Sequence, residues 1–250
     1  MVPVQKRSRE RFERILQCAA AVMAEKGSDA FRMSDIVERT GIPFGSLYQY
    51  FPDKTAIIGT LAERCNAIGR ACVARDLATV ETIADLRPAL GNIVDSYYRM
   101  FVDEPVMRDI WQATQADRAL QKLDEEDGAF LANLLAEAVR PVAEGASPAA
   151  VGRYAQLMMT LIAAAVRHAI TLPPAEGRRV LALFKQLLPA DLAALAAQWA
   201  PGKRFRRSRG AASSSRRRAS ACAGPPASAP RISAAPWIGW ASTRSTASTY

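Results

Sequence analysis

Histidine occurs once in this 250-residue chain, at His168, and the four cysteines form no CxxC pair. Metal sites need several such ligands at short spacing, so neither a metal nor a cofactor is assigned. A glycine-rich phosphate loop is also missing, and no catalytic residue stands out, so the chain is not read as an enzyme. Cys18, Cys65, Cys72 and Cys222 lack the spacing of a disulfide framework and fit reduced thiols in a reducing cytoplasm. Cys65 and Cys72, seven apart, can share one helix face. The N-terminus is polar from Gln5 onward, so no signal peptide is expected. The most apolar run, Leu157 to Val166, falls short of the roughly 20 residues that span a bilayer. A soluble, cytoplasmic protein without a membrane partner is the expectation.

Acidic residues are missing from 203–250, where ten of the 33 Lys and Arg lie. The other 23 basic residues face 24 acidic ones on residues 1–202, so the formal charge of +9 belongs to the tail. Affinity for a polyanion in the body of the chain must come from local placement of charge. From about Pro201 the sequence is rich in Ala, Ser, Arg, Pro and Gly, a composition that cannot bury enough surface to offset ordering. Residues 201–250 are therefore expected to be disordered. They read either as a basic arm adding phosphate attraction or as a solvated extension with no specific role.

Half of the residues are hydrophobic and recur with helical rather than strand period. Phe12, Ile15, Leu16, Ala19, Val22 and Met23 make one stripe on a helix from about Ser8 to Glu25, closed by Gly27. A short helix follows over 33–40, with Phe31 and Ile36 placed as a hydrophobic staple if position 32 is the N-cap. Gly41 permits a sharp turn, and Pro43 suits the start of a third helix over 43–50. Pro52 ends it, and Asp53 can cap a fourth helix beginning at Lys54. Further helices are expected over 86–103, 106–111, 120–139, 148–169 and 176–199. The last is split near Pro189. The acidic run Asp124–Asp127 reads as a solvated surface or a local bend. The fold expected is all-α: a three-helix unit over 1–53, a larger helical bundle over 54–200, then the tail.

Two short helices joined by a glycine turn, the second with a polar and aromatic face, are the layout of a helix-turn-helix, and that makes DNA the leading partner. The residues Ile15-Leu16, Ala19-Ala20, Glu25-Lys26-Gly27, Asp35-Ile36, Thr40-Gly41-Ile42, Gly45-Ser46-Leu47-Tyr48 and Tyr50-Phe51-Pro52-Asp53-Lys54 resemble the tetracycline-repressor (TetR/AcrR) family in order and spacing. The resemblance covers residues 9–64. Beyond them, the likeness is one of length and helicity. The resemblance implies a homodimer whose third helices enter successive major grooves of a near-palindromic operator, half-sites roughly 34–36 Å apart or a multiple of that. It also implies a transcriptional regulator, a repressor by family habit, located on the nucleoid.

On the third helix Leu47 and Phe51, four apart, should face inward, leaving Phe44, Gly45, Tyr48 and Gln49 outward. Gln49 can pair bidentately with an adenine edge, and Phe44 can pack on a thymine methyl. Gly45 lets the backbone approach closely. Ser46, Tyr48 and Tyr50 supply hydroxyls for phosphates, and Lys54 adds a charge at a positive helix end. Family members usually carry Ser or Thr where Arg32 stands, and many carry a basic residue where Phe44 stands. The first departure weakens the cap, although Arg32 can itself reach a phosphate. The second points to an AT-biased reading.

The resemblance further implies a small molecule that enters the bundle and shifts the fourth helix. Cys72, Tyr97, Met100, Trp111, Tyr154, Met158 and His168 are the candidate pocket residues, and their character suits an apolar or aromatic effector. The Ala-rich helix 148–169 and the helix 176–199 are the candidate dimer interface. A nucleoid-type structural DNA binder, favoured by the basic tail and disfavoured by the charge-balanced body, is the alternative; a helical enzyme is a more distant one.

Overall fold

The computed structural model describes residues 6–189, which belong to one compact unit, Met1–Lys203. The expected tail and the end of the last helix, to Trp199, lie outside the described residues. Within them the structure is helical without strands. The helices are α1 (Lys6–Ala30), α2 (Met33–Thr40), α3 (Phe44–Tyr50), α4 (Lys54–Leu77), α5 (Leu86–Asp103), α6 (Val106–Ala116), α7 (Arg118–Val139), α8 (Pro148–Ala169) and α9 (Pro174–Leu187). A 3-10 turn, Ile83–Asp85, leads into α5.

The sequence signals act where they should. The expected stripe on α1 is buried, from Phe12 through Met23. Regular α1 geometry breaks at Gly27, whose φ of 82° few side chains tolerate; a further short turn carries the helix on to Ala30. Gly41 ends α2 in the left-handed region, φ 67°, its N–H bonding to Val37 O. Phe31 and Ile36 are both fully buried, as a staple requires. Arg32 caps α2 only through its backbone: its N–H donates to the Asp35 carboxylate at 2.8 Å. Pro43 proves to be the N-cap of α3 rather than its first helical residue. Asp53 caps α4 by accepting from Ala56 N at 2.8 Å, and Ser147 caps α8 by accepting from Ala150 N at 3.2 Å.

The acidic run Asp124–Asp127 is neither a bend nor simply a solvated face, contrary to expectation. It lies inside the regular helix α7, where Asp127 pairs with Arg70 of α4 and Asp124 with Arg167 of α8. Both partners are far off in sequence, so the run looks solvated until the helices are packed. Helix α8 is apolar and 22 residues long, enough by length and composition alone to cross a membrane, which Leu157–Val166 by itself did not suggest. One side of it (Val151, Tyr154, Ala155, Met158, Ile162, Val166) is buried in the bundle, as core helices of soluble proteins are. Helix α9 crosses α8 closely at Gly177, where an added Cβ would meet Ala169 O at 2.5 Å.

Helix α4 joins the small unit to the bundle. Its Arg64 donates a two-pronged hydrogen bond to Glu13 of α1, at 2.7 and 2.6 Å, and lies 5.7 Å from the centre of the Phe12 ring. Donation from Arg64 holds the Glu13 carboxyl below its ordinary value of 4.5. A carboxylate depressed in this way contributes stability above its unfolded-state pKa and loses it as pH falls through the folded one. Glu13→Gln is therefore expected to lower the melting temperature at pH 7. The gap to the unsubstituted protein should narrow as pH falls below about 4.5, as followed by circular dichroism.

Candidate nucleic-acid interface and effector cavity

Helix α3 is short, and its seating rests on two side chains. Leu47 is fully buried, and Phe51 stacks on Phe12 of α1 with ring centres 5.0 Å apart. This anchoring turns the opposite face outward. Phe44 and Tyr48 are 45% and 50% exposed, large values for aromatic rings, and stack on each other at 6.1 Å. Gly45 and Gln49 are exposed beside them, and Ser46 is half-buried. Gln49 makes no side-chain hydrogen bond within the described residues, so its amide is available to a base edge. Tyr50 behaves differently: its hydroxyl shares a 2.9 Å hydrogen bond with Ser8 and its ring tilts against Phe12. Part of its role is thus to hold α3 against α1. Lys54 and Arg32 are exposed at the starts of α4 and α2, where helix N-termini favour anions.

Supporting bonds fix this unit from behind. Lys26 pairs with Asp35 at 2.7 Å, Arg39 forks onto Glu25, and Arg14 donates to Thr40 O at 2.9 Å. Thr40 closes the turn by donating to Ile36 O at 2.6 Å and accepting from Ile42 N at 3.2 Å. The turn backbone is thereby satisfied internally, and the outward face of α3 carries little that the fold itself requires.

In the bundle, α4, α5, α6, α7 and α8 surround a cavity of about 420 Å³. Of the residues expected at a pocket, Cys72, Tyr97, Met100 and Trp111 line it. Tyr154, Met158 and His168 do not: Tyr154 and Met158 are buried elsewhere in the core, and His168 is exposed at the end of α8. The rotation of α8 decides this, because it turns Met159, Ala163 and Arg167 to the cavity instead. Tyr97 packs edge-on against Phe101 at 5.2 Å. Arg167 lies 5.1 Å from the Trp111 ring centre and donates to both Asp124 oxygens at 3.0 and 3.1 Å. Burial raises the Asp127 carboxyl, while Arg70 pulls it down.

Arg167 escaped the sequence reading, and Asp124 and Asp127 were read only as part of a solvated run or a bend. The one available signal was an arginine following the apolar run Leu157–Val166; the pairing across 43 residues carried none. Cys65 and Cys72 share the cavity-facing side of α4 as their spacing suggested. Burial pushes the Cys65 thiol up to about 11, which leaves little reactive thiolate at neutral pH.

An exposed helix-turn-helix face on a helical bundle with a cavity is the layout of a DNA-binding regulator. Two family models cover more than half of the chain between them. Bacterial regulatory proteins of the tetR family match residues 15–61, and the tetracyclin repressor-like C-terminal domain matches residues 84–196. The chain belongs to the tetracycline-repressor family of transcriptional regulators. It is 43% identical over 58 residues to the uncharacterised HTH-type transcriptional regulator YvdT of Bacillus subtilis, which is 23% of this chain and 30% of that one. It is 38% identical over 50 residues to the HTH-type transcriptional repressor KstR of Mycolicibacterium smegmatis, 20% of this chain and 24% of that one. The matches thus span under a third of these curated relatives. A TetR-family regulator from Pectobacterium atrosepticum shares the fold, with a TM-score of 0.56 and 19% identity over 81% of this chain and all of that one.

Alkylation of Cys65 by iodoacetamide is expected to be very slow at pH 7 and to accelerate as pH rises toward 11, read by peptide mass spectrometry on the folded protein.

Proposed function

We propose that this protein is a ligand-responsive transcriptional repressor that binds a near-palindromic operator as a homodimer and is released by a small apolar or aromatic effector. The observation that carries the reading is α3 itself: Leu47 and Phe51 hold it down, while Phe44, Gly45, Tyr48 and Gln49 face solvent. Gln49 reads an adenine edge and Phe44 a thymine methyl. Ser46, Tyr48, Tyr50, Arg32 and Lys54 meet phosphates and set register. Repression rests on the family and on the M. smegmatis relative, a transcriptional repressor. The division at Asp53/Lys54 into a DNA-binding unit and a ligand and dimer bundle, with a cytoplasmic, nucleoid-bound location, belongs to the same reading.

Apolar surface supports the dimer. Leu157 and Leu161 on α8 are 58% and 42% exposed, and Leu183 and Leu187 on α9 are 58% and 73% exposed. Pairs of exposed leucines four apart on each of two packed helices suit association. A second copy covering them would place two α3 helices for successive major grooves. Leu161→Glu with Leu183→Glu is expected to yield a folded monomer in sedimentation and to abolish operator binding. A dimer that persists in the double variant would remove α8 and α9 from the interface.

Release follows from α4. Its Cys65 and Cys72 face the cavity, while Lys54 at its other end adjoins α3. An effector that tilts α4 changes the separation of the two heads, and a coupling of about 1–3 kcal/mol alters affinity roughly 5- to 150-fold. Operators selected from random DNA and measured by fluorescence anisotropy test the interface. Gln49→Ala should cost about 1–3 kcal/mol on the selected site and leave random DNA little changed. Lys54→Ala should weaken both about equally and lower the salt slope by about 1 per half-site. Equal losses on both DNAs for Gln49→Ala would remove its base-reading role. Absence of any selected site would favour a nucleoid-type binder.

A further inference from the structure

The cavity is apolar over most of its wall, but its polar groups are lopsided. The carboxylates of Asp124 and Asp127 are already committed to Arg167 and Arg70, and Glu125, the third acidic residue of the lining, is exposed. A cationic guest would find no buried carboxylate without first breaking an ion pair. Donors are in the opposite position. Trp111 Nε1 and Arg167 Nε are both shut off from solvent and have no hydrogen-bond partner among the described residues. They belong to one feature of the wall, because the Arg167 guanidinium lies over the Trp111 ring at 5.1 Å. The Arg167 guanidinium gives Nη2 to Asp124 and also interacts with the Tyr97 hydroxyl, but its Nε takes part in no hydrogen bond among the described residues and can serve a guest without giving up the Asp124 pair. Buried donors left unmet are costly, and a guest oxygen that meets them recovers the difference.

We propose that the effector is a compact apolar or aromatic molecule bearing one oxygen acceptor, a carboxylate or a carbonyl, seated on Arg167 Nε and Trp111 Nε1. This rests on the effector-cavity reading above. The volume of about 420 Å³ suits a small drug-sized molecule. Arg167 lies on α8 and Trp111 on α6, which also packs on α1 and α4. An acceptor drawn to this pair therefore bears on the helices that support the DNA-binding unit.

Four probes of one shape test the assignment on the full chain by titration calorimetry: naphthalene, 2-naphthoate, 2-acetonaphthone and 2-naphthylmethylamine. The naphthoate or the ketone is expected to bind roughly tenfold or more tighter than the amine and the bare hydrocarbon. Whichever of the two binds better tells whether the natural head is charged or neutral. Arg167→Met and Trp111→Phe should each shrink that preference while the hydrocarbon binds as before. Equal binding of all four, tightest binding of the amine, or an acceptor preference that survives both substitutions would overturn the acceptor head and leave the effector cavity standing. Failure of every probe to bind at its solubility limit would overturn both. If Arg167→Met does not fold, the four probes on the unsubstituted chain and on Trp111→Phe still decide.

Discussion

Helix α4 links the helix-turn-helix end of the compact unit to the cavity, and the molecule depends on that link. Its first turn, capped by Asp53, follows directly on α3. Its middle is tied to α1 through the Arg64–Glu13 fork. Its far half forms part of the cavity and is tied to α7 through Arg70 and Asp127. A 24-residue helix spans about 36 Å at 1.5 Å per residue. In the proposed function one rigid element would carry a displacement at the cavity toward the DNA-binding unit, and its partly buried ion pairs tie it to α1 and α7.

The small unit was legible in the sequence nearly residue by residue. Glycines at 27 and 41, proline at 43 and aspartate at 53 act locally, through backbone angles and caps, and local rules survive without knowledge of the tertiary fold. Leu47 and Phe51 faced inward because a seven-residue helix has one face to bury and only those two residues are placed to bury it. The cavity was legible only in part. Cys72, Tyr97, Met100 and Trp111 were identified from residue type, but core and cavity wall use the same residues. Tyr154 and Met158 differ from the lining Met159 only by the angle at which α8 is rolled, and a single sequence does not contain that angle. The Arg167–Asp124 and Arg70–Asp127 pairs were hidden for a related reason, since charge pairing between distant helices follows from packing.

Polar groups are distributed in the two functional regions in opposite ways. Behind α3 the turn and cap hydrogen bonds are satisfied within the unit, so its outer side chains are spared structural duty, Tyr50 excepted. Around the cavity the carboxylates are satisfied and two donors are not. The first arrangement suits a surface built to meet a polyanion with many acceptors. The second suits a small guest that brings an oxygen.

The division of labour among the cavity walls has an evolutionary corollary. Residues of α5, α7 and α8 that face the cavity sit on helices that do not continue into the DNA-binding unit, whereas α4 does so and α6 packs on α1. Under the proposed function, drift on the first three helices would alter which effector is sensed and spare the choice of operator. Drift on α4 or α6 would disturb both together. Lineages descended from this scaffold should therefore diversify their chemical taste fastest along three of the five walls.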